Sequence, residues 1–164
     1  MRHFIGLGMA TALCAAAAHA APAASPEHDA RWLNNQTVFL IELDRQDGWK
    51  STASGLRYRK VKGTGSGTRP SPADTVTIHY TGRLIDGSEF DSSVARGEPA
   101  TFPLPGLIKG WQEGVPLMSL GDTYEFAVPQ QLAYGARGGG PIPGGATLLF
   151  TVELLGIGEP ATGQ

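Results

Sequence analysis

Cysteine is almost absent from these 164 residues: Cys14 is the single one, and it lies in the uncharged run that follows Arg2. Beyond residue 20 the chain has no thiol, which excludes both a disulfide framework and a cysteine nucleophile. Histidine is nearly as scarce. Of the four, only His28 and His79 lie beyond residue 20, and neither has a second His or Cys at ligand spacing, so no metal site is expected. There is no excess of basic charge, with 13 Lys and Arg against 15 Asp and Glu. The electrostatic footprint of a nucleic-acid binder is therefore missing. No G-x-S-x-G turn offers a serine nucleophile. The spaced glycines between Gly63 and Ala73 lead into no helix, so they do not make a nucleotide-binding loop. No apolar run reaches the roughly 20 residues that span a bilayer, and a stable membrane anchor is not expected.

Several signals organise the chain. Arg2, the uncharged run Phe4 to Ala18 and the small-x-small exit Ala18-His19-Ala20 read as a secretory signal with cleavage after Ala20. Cys14 follows Leu13, where lipid attachment needs a small residue, so it leaves with the signal. Export to the periplasm is expected, with full secretion as the alternative. Losing Arg2 leaves 12 basic against 15 acidic residues, a net charge near −3. Ala21 to Glu27 reads as a flexible leader of Ala, Pro and Ser. Asp29 is placed to cap a helix from about Ala30 to Arg45, with Leu33 and Leu40, or Trp32 and Phe39, seven apart on one face. The run Val38 to Ile41 fits a strand equally well. Gly48 to Ser54 reads as a polar connection, so 21–54 forms a leader and arm, 55–158 the main domain and 159–164 a tail.

From Gly55 onward, strand patterns alternate with turns rich in Gly and Pro. Leu56 to Lys62 reads as a first strand. Thr75 to Thr81 places Val76, Ile78 and Tyr80 on one face and Thr75, Thr77, His79 and Thr81 on the other, the mark of a half-buried antiparallel strand. The same period returns at Tyr124, Phe126 and Val128, and again at Leu148, Phe150, Val152 and Leu154. Between them Leu107, Ile108, Trp111 and Val115 recur at helical spacing, a short stripe able to cover that shared face. Gly110 and Gly114 weaken the helix but permit close backbone approach. The expected fold class is α+β: an antiparallel sheet of about five strands curled around one short helix.

Tyr80, Phe90, Trp111, Tyr134 and Phe150 fall at strand ends, loops and the helix, so they either line a pocket or fill the core. Asp91 follows Phe90 in what reads as a turn, and Arg96 is five residues on. Patterning leaves open whether these two form a fixed dipole at a pocket or an exposed ion pair. His79, on the polar face of its strand, reads as a solvated histidine without a role.

Four segments, HYTGRLIDGSEFDSS from His79, LIKGWQEGVPLM from Leu107, LAYGARGGGPIP from Leu132 and ATLLFTVELL from Ala146, resemble the FKBP-type peptidyl-prolyl cis-trans isomerases. The resemblance runs from about Gly55 to Ile157. The lead-in at Ser54 is similar to the exported bacterial branch that includes the macrophage infectivity potentiators. It implies a half-barrel sheet wrapped on one short helix, and an enzyme that accelerates rotation about X-Pro bonds in exported proteins without a cofactor. It also implies a peptide site. Asp91, Tyr134, Phe150 and Tyr80 would act on the twisting bond, and Phe90, Leu107, Ile108, Trp111 and Ile142 would hold the substrate. Trp111 would be the floor under the proline ring, and Arg96 the partner of Asp91.

The partners implied are proline-containing unfolded or partly folded polypeptides, with macrolide immunosuppressants such as rapamycin as a second ligand class. Two departures bear on that preference. Ala100 stands where many eukaryotic members have another aromatic, and the loop Ala136 to Pro141 is one residue shorter and nearly all glycine. A competing reading is an envelope chaperone of the same fold with incidental isomerase activity. The arm from Asp29 to Arg45 could serve dimerisation, as longer N-terminal regions do in some relatives, but it is short here and a monomer is expected.

Overall fold

The computed structural model describes residues 30–160, with side chains to 158. The signal at 1–20, the leader, the Asp29 cap and most of the tail lie outside the described residues. Helix α1 runs Ala30–Leu43, which decides between helix and strand for Val38 to Ile41. Its inward face is Gln36, Leu40 and Leu43, with Trp32 and Phe39 partly buried beside them. Leu33 lies on the same side of the helix as Leu40, within about 20° by the 3.6-residue turn, yet it is exposed.

The strands are β1 (Lys50–Ser51), β2 (Arg57–Lys62), β3 (Asp74–Leu84), β4 (Glu89–Ser92), β5 (Ala100–Pro103), β6 (Thr123–Val128) and β7 (Leu148–Pro160). They form one antiparallel sheet in the order β1-β2-β6-β7-β3-β4, with β5 also on β3. The α+β class and the antiparallel sheet are as expected, and the additions to about five strands are short. β1 has two residues, within the segment expected to be a polar connection. β4 and β5 both pair with β3, at opposite ends of its 11 residues.

The alternating apolar residues share one face through the registers Tyr80↔Val152, Tyr124↔Val152, Phe126↔Phe150 and Val128↔Leu148. Val76, Ile78, Leu148, Val152 and Leu154 are fully buried. Each such side chain contributes about 1.5–3 kcal/mol of burial free energy. The short helix covering them is α3, Lys109–Gly114. A Cβ on Gly110 would lie 2.4 Å from Val128 Cγ1, so glycine here is what lets the helix backbone rest on β6. Pro116 follows in a 3₁₀ turn and prevents a longer helix. Leu107 and Ile108 belong to the stripe in sequence but precede α3 with extended backbone, which turns them toward a cavity instead of the sheet.

The opposite face of the sheet is covered as well. Leu40 and Leu43 of α1 pack on Ala127, with Trp49 and Leu149 beside them. Ala127 and Leu149 alternate with the inward-facing Phe126 and Leu148, so α1 sits on the outer face. Arg57 ties the end of α1 to β2 through paired hydrogen bonds to Asp44, at 3.1 and 2.8 Å.

Candidate functional site

At one end of the sheet, between α3 and strands β3, β4, β5 and β7, lies a cavity of about 240 Å³. Its lining is Tyr80, Phe90, Asp91, Phe102, Leu107, Ile108, Trp111, Tyr134 and Phe150. Ile142 lies in an adjoining open hollow that shares Phe90, Asp91 and Tyr134 with the cavity and is bounded by Gly139, Gly140 and Pro141. Arg96 stands outside the lining, bonded to Asp91.

Trp111 is buried at the centre of an aromatic box. Its ring meets Phe150 at 5.0 Å and 78°, Tyr80 at 5.2 Å and 82°, and Phe102 at 6.3 Å and 69°. Phe90 meets Phe150 edge-on at 5.7 Å. These edge-to-face geometries suit the ring quadrupoles and hold the walls in fixed orientations. The indole N–H of Trp111 is buried and has no hydrogen-bond partner among the described residues.

Asp91 is not in a turn. It is part of β4, where it pairs with Gly82 of β3, and the ladder supplies the backbone partners that a turn would lack. The four-residue helix α2, Ser93–Arg96, follows directly and is capped by Ser92, whose Oγ accepts from Ala95 N at 3.1 Å. That single turn brings Arg96 back over Asp91. Tyr80 donates its hydroxyl to Asp91 Oδ2, Arg96 donates Nη1 to Oδ1, and Arg96 Nη2 donates to the Tyr80 hydroxyl at 3.1 Å. The guanidinium also lies 5.7 Å from the centre of the Tyr80 ring.

Burial alone would raise the pKa of Asp91. The hydrogen bonds from Tyr80 and Arg96 and the arginine charge outweigh it, so the carboxyl is held below its ordinary 3.8. The phenol of Tyr80 is pushed up from 10.0 by burial and by its bond to Asp91. The cavity therefore presents an ionised carboxylate and a protonated phenol across the neutral range. It contains no pair of groups poised to exchange a proton.

Two contributors escaped the sequence reading. Phe102 follows Ala100 by two on β5, so both face the same way, and Phe102 supplies a wall ring where Ala100 has none. Its signal was the alternation within ATFP. Gly82 occupies the inward position after Tyr80, where a Cβ would stand 2.6 Å from Phe90 and 2.9 Å from Phe150. A glycine inside a strand pattern marks such close approach. His79, expected to be solvated, is half-buried, with Nδ1 3.0 Å from Ser93 Oγ. Ser93 in turn accepts from the Tyr80 amide at 2.8 Å, and this partner from α2 explains the difference.

A further hollow of about 210 Å³ lies on the outer face between α1 and the sheet. There Arg59 pairs with Glu125 and lies over the Trp49 ring, while the buried indole N–H of Trp49 has no hydrogen-bond partner among the described residues. Among the described residues no three His, Cys, Asp or Glu are placed to hold a metal ion, and no helix is long and apolar enough to cross a membrane.

Residues 66–155 match the model of the FKBP-type peptidyl-prolyl cis-trans isomerase family. The FKBP-type peptidyl-prolyl cis-trans isomerase FkpA of Aeromonas hydrophila is 55% identical over 123 residues, covering 75% of this chain and 46% of that protein. The outer membrane protein MIP of Legionella longbeachae is 48% identical over 125 residues, covering 76% and 53%. The crystal structure of a peptidyl-prolyl cis-trans isomerase from Pseudomonas syringae superposes with a TM-score of 0.73 at 30% identity, covering 83% of this chain and 98% of that one. The chain spans about half the length of the curated relatives it matches. Fold, cavity and matched sequence coincide over the same strands, and the chain belongs to the FKBP-type peptidyl-prolyl cis-trans isomerase family.

Proposed function

We propose that this protein catalyses cis-trans rotation about X-Pro peptide bonds of exported polypeptides, using the aromatic cavity over Trp111. The observation that carries the reading is the box of Tyr80, Phe102, Trp111 and Phe150 closed on one side by an ionised Asp91. Rotation about a peptide C–N bond costs about 18–20 kcal/mol because it breaks amide resonance, and no covalent bond is cut. What is needed is a cleft that holds the twisted amide better than the planar one. A box of fixed rings supplies shape, and the absence of a proton-transfer pair in it is no obstacle to this reaction.

In the proposed arrangement the proline ring rests on Trp111 between Phe150 and Tyr80. Asp91 sits beside the twisting carbonyl, and Ile108 and Tyr134 take the flanking carbonyl oxygens. Phe90, Leu107 and Ile142 hold the neighbouring residues of the peptide. Macrolides such as rapamycin compete for the same cleft. Residues 1–20 direct export, with the protein acting as a monomer in the envelope, and the family domain occupies 55–158. The outer-membrane name of the Legionella relative supports that location.

An exchange assay on an Ala-Pro peptide tests the reading, because uncatalysed exchange takes tens to hundreds of seconds. The protein is expected to shorten this. Asp91→Ala and Phe150→Ala each lower kcat/KM by about tenfold or more, the factor set by 1.4 kcal/mol. His79→Ala, on the opposite face of β3, stays within about twofold of the parent. No acceleration by the parent protein would overturn the assignment.

A further inference from the structure

We propose that Trp32 and Gln36 of α1 are positioning residues for the peptide site, acting through the glycine-rich loop that carries Tyr134 and Ile142. The inference rests on the isomerase reading above and adds the N-terminal arm to the machinery of that site.

Between Tyr134 and Ala146, six of thirteen residues are glycine. Glycine loses more backbone freedom on ordering than any other residue, so such a loop does not hold its own shape without external ties. Its internal bonds close it on itself: Gly139 and Ile142 exchange N–H···O bonds at 3.0 Å, and Gly145 N donates to Gly135 O at 2.9 Å. They fix the loop's curl, while Ile142 and Ala146, buried in the main core cluster, seat its apolar side on the sheet.

Two bonds from α1 add polar ties to that apolar seating. Trp32 Nε1 donates to Gly144 O at 3.1 Å, and Gln36 Oε1 accepts from Thr147 N at 2.9 Å, spanning 112 and 111 residues of chain. They lie one helical turn apart on α1, and they grip the loop where it enters β7. The Trp32 ring packs against the main core cluster, so its N–H is aimed from a fixed platform. Gln36 and Thr147 are both buried. The amide nitrogen of Gln36 has no partner among the described residues, while its oxygen is engaged. A buried unpaired donor is costly. An apolar residue would avoid that cost, so what Gln36 supplies is an acceptor for Thr147 N.

Held this way, the loop sets Tyr134 against the cavity and Ile142 in the hollow beside it. Tyr134 is half exposed and its ring lies on Gly139, so its position follows the loop's. Releasing the grip widens the range of Tyr134 and Ile142 without touching the Trp111 box.

The test uses the full chain with Trp32→Phe, which keeps the ring and removes the donor, and Gln36→Met, which keeps the length and removes the acceptor. Gln36→Glu restores an acceptor, and Val38→Ser, exposed on α1, is the control. Each bond lost is expected to raise KM for the Ala-Pro peptide about three- to tenfold with kcat little changed. Amide hydrogen exchange at Ile142 and Gly145 speeds up, while β3 and β7 keep their protection. Gln36→Glu returns both readouts toward the parent. KM within about twofold of the parent together with unchanged loop exchange overturns the proposal, as does protection lost equally across β3 and β7. If the parent shows no isomerisation, the isomerase reading fails, and the exchange rates still decide whether α1 holds the loop.

Discussion

The hydroxyl of Tyr80 on β3 donates to Oδ2 of Asp91 on β4, while Arg96 takes the other carboxylate oxygen. The two strands meet with Gly82 opposite Asp91, so the phenol reaches across a neighbouring position and donates its hydrogen bond to the carboxylate. This arrangement defines the charge of the cavity and has a consequence in acid.

Asp91 has a folded-state pKa below 3.8 because its bonds to Tyr80 and Arg96 outweigh the cost of burial. Stability from its ionised form is therefore fully present above 3.8 and is lost as pH falls through the lower folded value. Catalysis is expected to show no Asp91 limb between pH 5 and 8, roughly the range above all ordinary carboxylate titration. Tyr80→Phe removes one donor and moves the acid limb of the pH–rate profile upward. Superimposable acid limbs for parent and variant would contradict this account.

Gly82→Ala places a methyl group 2.6 Å from Phe90 and 2.9 Å from Phe150. The rings at the cavity wall must yield, since the strand backbone is held on both sides by β4 and β7. A fall in kcat/KM of about tenfold is expected, with overpacking costing about 1–3 kcal/mol of stability. Peptide exchange kinetics beside a denaturant titration check both, and a variant of parental activity would show that the close approach is immaterial.

Gly110→Ala sets an intrinsic gain of about 1 kcal/mol in helix propensity against overpacking of about 1–3 kcal/mol on Val128. Overpacking is expected to win, because Val128 is fully buried and its Cγ1 would be 2.4 Å away. A urea melt should show a lower midpoint than the parent's. A higher midpoint would mean that α3 can lift from β6 without loss.

Much of the sheet was legible because a strand's side chains alternate. Val76, Ile78 and Tyr80 could be assigned to one face from spacing alone, and the register with Leu154 and Val152 then followed the same period. The α3 stripe was half legible. Trp111 and Val115 face the core, whereas Leu107 and Ile108 continue the spacing outside the helix, where periodicity no longer says which way a side chain points. The face of α1 could not be chosen between two seven-residue pairings, because the deciding partners, Ala127, Leu149 and Thr147, lie far along the chain on β6, on β7 and just before β7.

By itself the sequence determined the fold class, the apolar face of the sheet and the family, since local alternation and four contiguous segments carry those signals. Patterning together with the family resemblance put eight of the nine residues lining the cavity among the candidates, Leu107 and Ile108 through the resemblance alone. Tertiary structure alone decided that Asp91 sits in a strand under Tyr80 and Arg96, that Gly82 and Phe102 shape the wall, and that Trp32 and Gln36 grip the loop beside Tyr134. Those relationships depend on distances between segments that meet only after the chain has closed on itself; a pattern within one segment marks at most a face, as at Phe102, or a close approach, as at Gly82, and does not name the partner.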